Sequence, residues 1–194
     1  MGKAPLLAIQ IIWVNLVTDT AAAIPLGLEP KFGDELKQFP RHPKVGLIYP
    51  GLLLRIGFLA ILMDVGISLI FNWAQARVSL EEARTIVFCS LVTFEWFRAF
   101  NARSDEYTVI RLGVFRNRWL IISILAAIVL QLAVVYLPFF QVAFSTVPLA
   151  IDKWGIAVLA DGSLFTIEET RKFLFSQLFS LGKWRPLGKA DHEL

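Results

Sequence analysis

The chain has 194 residues, 56% of them hydrophobic and 18% charged, with a formal net charge of +3. Soluble domains average roughly 45–50% apolar and about 25% charged residues, and here the apolar excess is gathered into long runs, which excludes an ordinary water-soluble domain. One cysteine, Cys89, excludes an internal disulfide, and His42 and His192 form no cluster of metal-ligand spacing that would suit zinc or haem. The basic residues lie between apolar runs, where membrane orientation explains them and nucleic-acid binding does not.

A bilayer core of about 30 Å needs about 20 largely apolar residues per spanning helix, so this length allows about five spans. The first apolar run is Leu6 to Leu28, closed by Pro30 and a polar loop from Lys31 to Lys44 that carries Pro40 and Pro43. The second runs from Leu52 to Trp73, the third from Ala83 to Phe100 and the fourth from Trp119 to Phe140. The fifth, Ile151 to Phe173, is interrupted midway by Asp161 and Gly162, with Glu168, Glu169, Arg171 and Lys172 at its end. It is expected to be short, broken or partly interfacial. After about Leu181 the tail is expected to lack regular structure. The fold class is therefore all-α, a polytopic transmembrane bundle, with a membrane domain over residues 1–175 and a cytoplasmic tail over 176–194.

Lys and Arg are retained on the cytoplasmic side, so the loops give the orientation. With the N-terminus outside, the cytoplasmic segments hold Lys31, Lys37, Arg41 and Lys44, then Arg98, Arg103, Arg111, Arg116 and Arg118, then Arg171, Lys172, Lys183, Arg185 and Lys189. The outer segments hold only Lys3, Arg77, Arg84 and Lys153, while Arg55 sits where it can snorkel. An N-out, C-in arrangement satisfies this, with Trp73, Trp119 and Trp154 at span ends as interfacial anchors. Lys3, the stretch Leu6 to Val14 and Ala21, Ala22 and Ala23 also mimic a signal peptide. That reading places the basic loop outside, against the charge asymmetry, and leaves the polar residues of the run unexplained.

Those residues, Asn15, Thr18 and Asp19, stand at i, i+3 and i+4 and share one face of an ideal helix. A carboxylate near the bilayer centre costs about 2.5–3.5 kcal/mol on insertion scales, so an intramembrane Asp is a functional-site hypothesis. A carboxylate, an amide carbonyl and a hydroxyl are donors for a hard cation, although Ca²⁺ takes about 6–8 oxygens and needs other helices to complete its shell. Pro25 removes an N–H and frees the carbonyl of Ala21, which broken membrane helices can offer to cations. The competing reading makes Asn15 and Asp19 interhelical hydrogen-bonding glue. Glu95, flanked by Phe94, Trp96 and Phe97, is a second intramembrane carboxylate. It is either a cation ligand or the i,i+3 ion-pair partner of Arg98, and the ligand reading is favoured because Arg98 lies nearer the surface and can snorkel.

The run from Pro5 through Asn15, Thr18 and Asp19 to Pro30 resembles the sixth transmembrane helix of type II P-type cation ATPases. Val92-Thr-Phe-Glu95 and Phe100-Asn101-Ala-Arg103-Ser104 resemble that family's eighth helix, and Glu169-Thr-Arg-Lys172-Phe173 the end of its tenth. The resemblance covers Ala4 to about Phe175 and implies that the five spans are helices six to ten of a pump in the cell membrane. In calcium-pump members the Asn and Thr-Asp of helix six and a Glu of helix eight bind the transported ion. This implies Asn15, Thr18, Asp19 and Glu95 as metal ligands, with calcium the first choice of cargo and sodium, potassium, magnesium or protons as alternatives.

Departures from the family pattern matter. Many members follow the Asp with Gly-Leu-Pro, whereas this chain reads Asp19-Thr20-Ala21-Ala22-Ala23-Ile24-Pro25. Asp64 and Asp161 have no counterpart there, and each either lines an ion path or pairs with a neighbouring helix, or, for Asp161, sits in a broken turn with Gly162. The phosphorylation pattern Asp-Lys-Thr-Gly-Thr is absent, the only Asp-Lys being Asp152-Lys153 before Trp154. The resemblance thus implies a transport module without the phosphorylation, nucleotide and actuator domains, whose use of ATP and Mg²⁺ comes only through those domains and which alone is not expected to hydrolyse ATP. Its partners are then the lipid bilayer and the rest of the pump. The alternatives are a free-standing interaction or regulatory remnant of such a pump, and a small channel or carrier, which the lack of an internal repeat disfavours.

Overall fold

The computed structural model describes residues 4–31, 50–104 and 107–181, and every regular element among them is helical. Of the expected loop from Lys31 to Lys44 only Lys31 lies within the described residues, and the tail after Leu181 lies outside them. The first apolar run folds as α1 (Ala8–Trp13), a π-helical turn (Val14–Thr18) and α2 (Asp19–Leu26), following one another without a gap. Next come α3 (Pro50–Gln75), α4 (Leu80–Asn101), the short α5 (Val109–Leu112) with a 3₁₀ turn (Val114–Arg116), α6 (Arg118–Tyr136), α7 (Pro138–Phe144) and α8 (Ile151–Leu181).

Among the described residues three stretches are long and apolar enough to cross a membrane, Ala8–Leu26, Ile56–Gln75 and Arg118–Tyr136. Helices α4 and α8 are as long but more polar, and they pack most extensively against each other. Helix α4 is central: Ile86, Val87, Phe88, Cys89 and Val92 are fully or almost fully buried. Its start is fixed by Ser79, whose hydroxyl accepts from the Glu82 amide at 3.2 Å. The exposed residues on the other helices are largely apolar, including Ile12, Leu16, Leu54, Leu125 and Leu159, as a lipid-facing surface requires.

Two of the expected spans differ from what composition suggests. The fourth stops at Tyr136, because Pro138 has no N–H and holds Leu137 extended, so the chain restarts as α7 with Pro138 in its first turn. The carbonyl of Val134, which Pro138 cannot serve, accepts instead from the Thr146 hydroxyl at 2.7 Å, and that of Val135 from Gln141 Nε2 at 2.7 Å. The fifth is not broken at Asp161-Gly162: α8 runs through both residues. One glycine in a helix costs about 1 kcal/mol, which packing against α4 and the need to pair every backbone group in lipid outweigh.

The helix ends segregate. At one end Arg84 Nε donates to the Ala4 carbonyl at 2.9 Å, Gln10 Nε2 to that of Phe144 at 3.0 Å, and the Val147 amide to Thr85 Oγ1 at 3.1 Å. Tryptophans gather there too: Arg77 and Lys153 lie over the Trp73 ring, and Trp154 Nε1 donates to Tyr136 Oη. At the other end the Arg103 guanidinium is fully buried, donating to both Glu29 oxygens and to the Gly113 carbonyl at 3.0 Å. Asn117 caps α6 and donates to the Pro25 carbonyl and Glu29. Gly113, at φ +84°, makes the turn that brings its carbonyl to Arg103. Lys172, almost fully buried, ties α8 to the same end through the Asn101 carbonyl and Glu169, whose other oxygen accepts from the Val109 amide.

Candidate cation site

The apolar interior is divided. One cluster is built from residues such as Val14, Phe71, Phe88, Val92, Val134 and Phe144, and a second from Ala22, Ala99, Leu120 and Ile124. Between Val14 and Ala22 on the first helical run, and between Val92 and Ala99 on α4, lie Thr18, Asp19 and Glu95. The polar layer falls where the two clusters part.

Local backbone sets the first half of this layer. The π-helical turn Val14–Thr18 ends at Asp19, so the chain is widened where Asn15 and Thr18 stand. Such single π turns inside α-helices occur frequently at functional sites. The turn also separates residues that an ideal helix would keep on one face. Asn15 is exposed and Asp19 part-exposed, whereas Thr18 is buried. Asn15 and Asp19 therefore reach the open side of the bundle, and Thr18 turns inward.

Helix α4 supplies the second half. The Glu95 side chain is 9% exposed, and three residues on, Arg98 is 50% exposed. Arg98 Nε donates to Glu95 Oε2 at 2.7 Å, so the i,i+3 pair forms. The same guanidinium also crosses to the first helical run: Arg98 Nη2 contacts Asp19 Oδ1 at 2.6 Å and pairs with Glu95 Oε2 as well. One nitrogen thus sits between carboxylate oxygens of two helices. Sequence spacing signals the Glu95 pairing; nothing local signals the Asp19 pairing, which is tertiary. Among the described residues no three His, Cys, Asp or Glu side chains gather as a metal cluster.

The carbonyl freed by Pro25 has a protein partner rather than an open coordination position. Ser123 on α6 donates to the Ala21 carbonyl at 2.5 Å, a residue the sequence gives no reason to single out. Asp64 is exposed on α3. Asp161 is buried, 3% exposed, with Oδ2 lacking a hydrogen-bond partner. A cavity of about 390 Å³ between α3, α4 and α8 is lined mainly by apolar side chains, with Glu95, Arg98, Asn101 and Glu168 as its polar members.

Long apolar helices carrying a charged layer define a multi-pass helical membrane protein. The model of the family described as cation transporting ATPase, C-terminus, matches residues 3–174, and the chain belongs to that family, the C-terminal membrane module of P-type cation ATPases. It is 37% identical over 172 residues to a calcium-transporting ATPase of Bacillus subtilis, a match covering 84% of this chain and 19% of that protein. It is also 37% identical to the rat calcium-transporting ATPase type 2C member 2, over 87% of this chain and 18% of the relative. A probable cation-transporting ATPase F of Mycobacterium tuberculosis is 33% identical over 84% of this chain and 18% of its own length. The chain therefore spans less than a fifth of the length of these relatives.

Proposed function

We propose that this chain is the part of a calcium pump that carries transmembrane helices six to ten, with the N-terminus outside and the C-terminus cytoplasmic. Residues Asn15, Thr18, Asp19 and Glu95 would contribute to an intramembrane site for the transported cation. The observation that carries this reading is the seat between Asp19 and Glu95: a single nitrogen lies 2.6 Å from Asp19 Oδ1 and in contact with Glu95 Oε2. Calcium–oxygen distances are about 2.3–2.6 Å, so a cation at that point is within coordinating reach of both carboxylates. Asn15 and the open face of the π turn leave room for the remaining donors, which would come from other helices of the pump. α4 and α8 count as spans because Glu95 on α4 and Asp161, Glu168 and Lys172 on α8 are buried in the bundle, where intramembrane charge is tolerated. Phosphorylation-driven movement, with ATP and Mg²⁺, would belong to domains supplied by the rest of the pump, and α3 to α8 would act mainly as scaffold.

The test is isothermal titration of Ca²⁺ into the solubilised protein, with and without the remaining pump portion supplied as a second polypeptide. Binding that needs the second polypeptide and is lost in Asp19→Asn and Glu95→Gln is the expected result. Absence of binding in both preparations, or binding indifferent to both substitutions, would refute the reading.

A further inference from the structure

We infer that Arg98 is a resident counter-cation of the site, and that it sets specificity: a transported ion binds by displacing the guanidinium from between Asp19 and Glu95, an exchange that favours divalent over monovalent ions. The inference rests on the proposed cation site and adds a residue to it. Its basis is geometric. Arg98 Nη2 contacts Asp19 and Glu95 together, and Nε donates to Glu95 at 2.7 Å, so the guanidinium fills the position from which both carboxylates can be ligated.

The charge arithmetic gives the direction. Two carboxylates carry −2, and the guanidinium already returns +1. A monovalent ion entering the seat exchanges one positive charge for another and forfeits the directed N–H bonds, with no electrostatic gain to offset them. A divalent ion brings twice the charge of the group it replaces, and in an interior of low dielectric that difference is felt strongly. The displaced group has somewhere to go. Arg98 is half exposed and lines the cavity between α3, α4 and α8, which also holds Asn101, whose buried Oδ1 has no hydrogen-bond partner, and the Glu168 carboxylate, already paired with Arg171. Its apolar stem can stay in place while the head group swings, as long basic side chains do near membrane surfaces.

The experiment measures Ca²⁺ binding by the chain, together with the remaining pump portion, in lipid nanodiscs, for wild type, Arg98→Gln, Arg98→Lys and Asp19→Asn. Each titration is repeated in a large excess of Na⁺, and thermal transitions confirm that each variant is folded. Phenylglyoxal modification of Arg98 in the wild type is followed by mass spectrometry with and without Ca²⁺. Arg98→Gln is expected to tighten Ca²⁺ binding by about tenfold or more and to make it sensitive to Na⁺. Arg98→Lys, which keeps the charge, should stay within about threefold of wild type. Ca²⁺ should also speed phenylglyoxal labelling of Arg98, a readout independent of affinity. If Asp19→Asn abolishes binding while Arg98→Gln leaves affinity and Na⁺ sensitivity unchanged, the site stands and the counter-cation role is overturned. Labelling of Arg98 that Ca²⁺ leaves unchanged or slows overturns displacement by itself. If no preparation binds Ca²⁺, or if binding ignores Asp19, both readings fall.

Discussion

Replacing Arg103 should unfasten the end of α2 from the α4–α6 connection, and the structure sets the size of the effect. Its side chain is fully buried and makes Nε and Nη2 contacts of 2.7–3.2 Å with Glu29 in addition to a bond to the Gly113 carbonyl. Removing one partner of a buried ion pair costs about 3–5 kcal/mol, because the other charge is left stranded. Glu29 is 19% exposed and keeps a 2.7 Å bond from Asn117 Nδ2, which relieves part of that penalty. Arg103→Met should therefore destabilise by about 2–4 kcal/mol, a fall in Tm on the order of 10 °C for a chain of this length. Arg103→Lys, which keeps the charge but loses the planar fork, should cost about half as much. Thermal unfolding in detergent of Arg103→Met, Glu29→Gln and the double variant gives the coupling, expected at about 2 kcal/mol. A Tm fall below about 2 °C for Arg103→Met, or additive single effects, would show that the contacts carry no such energy.

Two further substitutions probe the proline and the buried acid. Ser123→Ala should cost about 1–2 kcal/mol by leaving the Ala21 carbonyl without a donor, yet be nearly neutral in a Pro25→Ala background, where the restored amide serves that carbonyl; equal Tm losses in both backgrounds would refute the replacement. Asp161→Leu, which removes an unpartnered buried oxygen, should melt above Asp161→Asn, which keeps one, by about 2–4 °C; the reverse order would reveal a partner for Asp161.

Composition and run length locate the helices because lipid forces every spanning backbone into one form. Where the sequence and the structure part, a local rule meets a tertiary one. Pro138 ends α6 as its chemistry demands, and an apolar run that continues to Phe140 conceals it. Asp161 and Gly162 read as a break, yet α4 packs against that stretch and the helix holds. In the site, the type and position of Asp19 and Glu95 were legible as intramembrane carboxylates. That they meet through Arg98 was not, since the Arg98–Asp19 contact spans 79 residues and leaves no periodic trace. The π turn was equally silent: the i, i+3, i+4 spacing of Asn15, Thr18 and Asp19 assumes an ideal helix, and a wider turn rotates Thr18 inward.

The open side of the first helical run ties these observations together. Apolar exposure at Ile11, Ile12, Leu16 and Ile24 could face lipid, but the same side carries Asn15 and a part-exposed Asp19. Lipid cannot solvate a carboxylate, and one guanidinium neutralises only half the charge of Asp19 and Glu95. A face that mixes large apolar residues with under-neutralised oxygen donors is better matched to further helices that bring both packing surface and ligands. The relatives have the length to supply them, since this chain covers less than a fifth of each. Arg98 joins the two carboxylates, and under the proposed cation site it would do so until a cation and its remaining ligands arrive, which would make the guanidinium the group whose removal most directly separates folding of the module from binding by it.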